Sequence, residues 1–87
     1  MASISPAAML IRLTDPSLTR ALVRYLHERQ YLALAHEDGV VEAVPMNAVS
    51  ERGDWARLSR ELEAWRRDHR EVETELVNEP RPRFLVR

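Results

Sequence analysis

The 87-residue chain predicts an α+β fold, one antiparallel sheet and two helices in the order β-α-β-β-α-β. Three observations carry that expectation. Asp38-Gly39 is a strong hairpin signal, because the central residues of a tight type I′ turn need φ above zero. The same pattern stands on both sides of it: two apolar or alternating runs with a helical stretch between them. Finally, 45% apolar and 31% charged residues suit a packed domain rather than a disordered chain.

Residues 1–8 read as a flexible leader, 9–77 as a single α+β domain and 78–87 as a Pro- and Arg-containing tail. The first strand is Met9 to Leu13, with Met9, Ile11 and Leu13 on one face and Leu10 and Arg12 on the other. A helix over about Pro16 to Arg29 follows, because Asp15 can cap free N–H groups and Pro16 suits the first helical position. Its apolar stripe is Leu18, Leu22, Tyr25, Leu26 and Arg29. Tyr31 to Glu37 alternates as a strand, with Leu32 and Leu34 expected inward and Tyr31, Ala33 and Ala35 outward. A two-residue Asp38-Gly39 loop pairs Glu37 with Val40, Ala35 with Glu42, Leu34 with Ala43 and Ala33 with Val44. Val40 to Val44 is the returning strand, and Pro45 ends it or sits at its edge.

Met46 to Gly53 reads as a loop, in part an extra helical turn, with Asp54 as the cap of the second helix. The stripe of that helix is Trp55, Leu58, Leu62 and Trp65, ending near His69. Val72 to Val77 is the last strand, with Val72, Thr74 and Leu76 inward. Right-handed crossovers then give a sheet of order 4-1-3-2 with both helices on one face, the ferredoxin-like arrangement. That fold hosts enzymes, RNA binders and regulatory domains, so the function has to come from a site.

Composition narrows the chemistry. Without cysteine there is neither a disulfide framework nor a thiolate metal site. All thirteen basic residues are Arg, which reads as the coding bias of a GC-rich bacterial genome and removes any Schiff-base or phosphate-loop lysine. A net charge of −1 argues against nucleic acid as a partner. No apolar run approaches the ~18 residues of a membrane span, and the first ten residues lack the basic region of a signal peptide, so a cytoplasmic setting is expected. His27, His36 and His69 stand on separate elements without metal-ligand spacing, and the serines lack a nucleophile-elbow context. No catalytic residue, cofactor or metal is expected.

The outer sheet face is the informative one. It should carry Leu10, Arg12, Tyr31, Ala33, Ala35, Val40, Glu42, Val44, Glu73, Glu75 and Val77, more apolar than an open face usually is. Arg12 is expected between Glu42 on one side and Glu73 or Glu75 on the other. The expected function is therefore self-association, as a homodimer. The interface would use Leu10, Arg12, Tyr31, Ala33, Val40, Glu42 and Val44, with Phe84 and Leu85 of the tail able to dock on a neighbour. Of the two edges, Glu73 and Glu75 discourage pairing at the last strand, leaving Tyr31 to Glu37 the easier one.

One local resemblance offers a second function. Leu13-Thr14-Asp15-Pro16-Ser17-Leu18 resembles the strand-to-helix turn of ACT-type regulatory domains, whose pattern is Asp, Pro and then Gly. Here Ser17 replaces the Gly and the spacing differs by one residue. The resemblance covers six residues. It implies a regulatory domain binding a small ligand near Asp15 and Ser17 or at a dimer interface.

Overall fold

A computed structural model describes residues 8–37, 39–47 and 49–77. It contains a four-stranded antiparallel sheet and two helices: β1 (Met9–Leu13), α1 (Thr19–Glu28), β2 (Tyr31–Ala35), β3 (Val40–Pro45), α2 (Glu51–Arg67) and β4 (Thr74–Leu76). The strands lie in the order β2-β3-β1-β4. Asp38, most of the leader and the tail, including Phe84 and Leu85, lie outside the described residues. Ala8 is buried and continues the domain one residue upstream of β1.

Local chemistry sets the helix ends. Asp15 is extended, and its carboxylate accepts the Ser17 N–H at 3.0 Å, opening a 3₁₀ turn over Pro16–Leu18 before α1 begins. At the other end of α1, Gln30 takes φ of 73°, the left-handed stop that lets the chain reverse into β2. Helix α2 starts four residues earlier than the Asp54 cap implies. Ser50 is the N-cap, its Oγ accepting the Gly53 N–H at 3.1 Å. Asp54 instead folds back to the Val49 N–H at 3.3 Å. Acids in the first turn and Arg66 and Arg67 in the last suit the helix dipole.

The core joins one face of the sheet to both helices: Met9, Ile11, Leu13, Val41 and Ala43 pack with Leu22, Leu26, Trp55, Leu58, Leu62 and Trp65. Each fully buried leucine here is worth about 2 kcal/mol of transfer free energy. Both tryptophans sit in this core, and Val72 closes it beyond α2. Glu61 joins the two helices, with its carboxylate between Arg29 Nε at 3.6 Å and Arg57 Nε at 3.7 Å. The Tyr25 hydroxyl donates to the Glu61 carbonyl at 3.0 Å, and Arg57 donates to the Arg29 carbonyl at 2.6 Å.

Strand β2 is turned over relative to the sequence expectation. Its register on β3 pairs Leu32 with Val44, Ala33 with Ala43, Leu34 with Glu42 and Ala35 with Val41. Val40 donates to the Glu37 carbonyl and His36 to the Val40 carbonyl, both at 3.0 Å, so the loop spans three residues, not two. Gly39, at φ of 83°, takes the left-handed position that ends such a loop. One added loop residue shifts the pairing by one, and a one-residue shift exchanges the faces. Tyr31 and Ala33 therefore face the core, while Leu32 and Leu34 face out.

Candidate functional site

Three cross-strand rows build the sheet face opposite the helices. The first holds Leu32 and Val44. The second runs Leu34, Glu42, Leu10 and Val77, the last joined by its N–H to the Leu10 carbonyl at 2.8 Å. The third runs His36, Val40, Arg12 and Glu75. Leu32 and Leu34 are 60% and 59% exposed, far more than apolar side chains inside a sheet usually are. Val77 is exposed as well, and Leu10, Val40 and Val44 are half-buried. Apolar side chains thus run from β2 across to Val77, interrupted on β3 by Glu42, and the remaining polar groups lie along the third row.

Of the residues expected at an interface, Leu10, Arg12, Val40, Glu42 and Val44 share this face. Tyr31 and Ala33 do not. Tyr31 is 1% exposed and lies beneath α2, with the Arg57 guanidinium 4.8 Å from its ring centre. Its hydroxyl is buried without a hydrogen-bond partner among the described residues. Burial pushes its pKa above the usual 10.0; Arg57 opposes that shift, and Glu61 and Asp54 add to it. Leu32, Leu34 and Val77 are the larger apolar contributors. The three-residue loop was the sequence signal for the first two, because Gly after Asp serves that loop as readily as the two-residue turn.

The charges also sit differently from the expected ladder. Glu42 lies opposite Leu10, not Arg12, and its Oε1 pairs with His36 Nε2. Arg12 has Val40 on one side and Glu75 on the other. Among the described residues it makes no ion pair. Its guanidinium and the Glu75 carboxylate are both left exposed at one corner of the face.

The other candidate groups disperse. His27 Nε2 donates to the Ala33 carbonyl at 3.1 Å, covering part of the β2 edge that the sequence left open. His69 stacks on Trp65 with ring centres 4.2 Å apart, and its Nδ1 donates to the Trp65 carbonyl at 2.9 Å. Asp15 Oδ1 accepts both the N–H and the hydroxyl of Ser17, the latter at 2.7 Å, so these two side chains satisfy each other. Among the described residues no three His, Asp or Glu groups converge in a way that could hold a metal ion. No helix is long and apolar enough to cross a membrane. The chain matches no protein family, and no curated protein or solved structure resembles it at a significant level.

Proposed function

We propose that the chain is a cytoplasmic, ferredoxin-like interaction module that forms a homodimer through its open sheet face. Counted from the β4 edge, its strands run 4-1-3-2, and both helices share the opposite face. The observation that carries the reading is the exposure of Leu32 and Leu34 beside Val40, Val44, Leu10 and Val77 on one face. Leaving those side chains in water forfeits apolar burial that a second copy would supply.

Charge placement favours a second copy as the occupant. Apart from Glu42, which pairs with His36, the patch is apolar across its middle. It carries one cation, Arg12, and one anion, Glu75, side by side at a corner, so a two-fold contact of the patch with itself needs no partner of opposite charge. Area sets the strength. Four short strands about 4.8 Å apart present a footprint on the order of 300 Å², below the ~800 Å² per partner of a standard stable interface. The dimer is therefore weak, with a Kd on the order of 10–100 µM.

Sedimentation equilibrium between about 10 and 300 µM tests this, a range that spans the expected Kd. The chain should move from monomer toward dimer across the range, and Leu32→Asp with Leu34→Lys should hold it monomeric at an unchanged melting temperature. A wild-type chain that stays monomeric throughout, or a doubly substituted one that still dimerises, overturns the reading.

A further inference from the structure

The opposite side of the domain carries a second surface of different character. Two adjoining depressions, of about 380 and 340 Å³, share Glu63 and Arg66: the first lies along the end of α2 and the segment leading to Val72, the second between α2 and β4. Arg66, Arg67 and Arg70 line the first and Arg60 and Arg66 the second, against Glu63 as the one acid, with Val72 flooring the first and Thr74 and Leu76 of β4 the second. Among the described residues none of these four arginines makes an ion pair. Arg66 Nε is shielded from solvent and has no hydrogen-bond partner, a donor left unsatisfied at a substantial desolvation cost. Four unpaired guanidinium groups in a chain of net charge −1 make this a concentrated positive site.

Its length and its floor identify the occupant. At 1.5 Å of rise per residue, Arg60 to Arg67 extends over roughly 10 Å along α2, with Arg70 in the turn beyond, too long for a single small anion and equal to about three residues of extended peptide. The floor is a strand edge. Thr14 N–H to the Glu73 carbonyl and Val77 N–H to the Leu10 carbonyl fix which β4 groups bond to β1. By antiparallel alternation, the backbone groups of Thr74 and Leu76 point away from β1, toward the groove. Their side chains face the helix side, where the arginines are, while Glu73 and Glu75 face the other way.

We infer that the α2–β4 groove takes an extended acidic segment of a partner protein, added as a strand along β4. Side chains alternate along such a strand, so its acids must fall at every second position. Those positions meet the arginines; the intervening ones lie beside Glu73 and Glu75 and must be neutral. Nucleic acid is disfavoured, because the groove lining has no aromatic ring on which a base could stack. The chain's own tail is a poor occupant, since Arg81, Arg83 and Arg87 outnumber Glu79.

The test uses the full chain and a fluorescein-labelled hexapeptide, Glu-Thr-Glu-Val-Glu-Thr, read by fluorescence anisotropy. Saturable binding that weakens with salt is expected, and Arg67→Glu with Arg70→Glu, both exposed positions, should weaken it at least tenfold while the chain stays cooperatively folded, its melting temperature lowered only slightly by an acid in the last turn of α2. Amide chemical shifts should move at Thr74 to Leu76 and not at Leu32 or Leu34. The inference is overturned by a failure to saturate at about 1 mM peptide, by binding insensitive to the charge reversals, or by shifts confined to the open face. Tighter binding of oligothymidine or tripolyphosphate would overturn it too, since the site would then be a general polyanion site. Because the dimer surface lies on the other face, loss of dimerisation by Leu32→Asp with Leu34→Lys should leave peptide binding intact.

Discussion

Replacing Tyr31 by Phe removes a single oxygen and tests how the sheet is arranged. The hydroxyl is buried and has no hydrogen-bond partner among the described residues, so the folded chain bears its desolvation, about 1–3 kcal/mol. Phe keeps the ring face on which the Arg57 guanidinium lies, so that contact largely survives. Against a small loss of packing, the expected net gain is about 1 kcal/mol, or a rise of about 4–8 °C in melting temperature for a domain this size. Urea denaturation at neutral pH measures it, with an unchanged m-value as the control for an unaltered fold.

The alkaline limb gives a second reading of the same group. Burial raises the folded-state pKa of Tyr31 above 10.0, so between the unfolded and folded values the native chain holds a proton that the unfolded chain has lost. Tyr31 therefore contributes a fall in stability as pH rises past 10.0, and Tyr31→Phe should remove that part of the slope. If β2 were paired through a two-residue loop, Tyr31 would sit in water and neither effect would exist. A substituted chain less stable by 1 kcal/mol or more would mean that the hydroxyl has a partner. An unaltered alkaline slope would mean that it is not buried.

Two further substitutions probe the backbone. Gly39→Ala forces an L side chain into φ of 83° and sets its Cβ 3.0 Å from the Leu13 carbonyl oxygen. It should cost about 2 kcal/mol by thermal or urea melting, and no measurable loss would refute the left-handed turn. Ser50→Ala removes the side-chain acceptor of the Gly53 N–H at the start of α2 and should cost about 1 kcal/mol. An effect near zero, with Asp54→Ala costing more, would return the cap to Asp54.

Much of this fold is legible in the sequence, and particular residues show why. Leu22 and Leu26 in α1, and Trp55, Leu58, Leu62 and Trp65 in α2, are the buried positions that helical spacing picks out. In β1 the alternation of Met9, Ile11 and Leu13 with Arg12 selects the buried face without help from neighbouring strands. Tyr31-Leu32-Ala33-Leu34-Ala35 contains no polar residue, so its pattern cannot say which face is wet. Register decides instead, and register depends on whether the loop holds two residues or three. The candidate surface inherits that ambiguity: Arg12, Val40, Glu42 and Val44 were readable, while Leu32 and Leu34 were hidden behind Tyr31 and Ala33. Ser50 was obscured for a similar reason, because Gly53 is a poor helix former and Asp54 beside it is an equally good cap.

The bridge through Glu61 bears on how the domain breathes. Helix α1 has ten residues, short of the roughly 12–15 at which an isolated helix holds together in water. Its last turn is fastened to the middle of α2 by Tyr25, Arg29 and Arg57. Fraying there cannot proceed one amide at a time, because releasing Arg29 also releases the guanidinium and carboxylate partners that α2 presents. Amide protons at the end of α1 should therefore exchange with solvent at the slow pace of the segment around Glu61, the two helices opening as one cooperative unit.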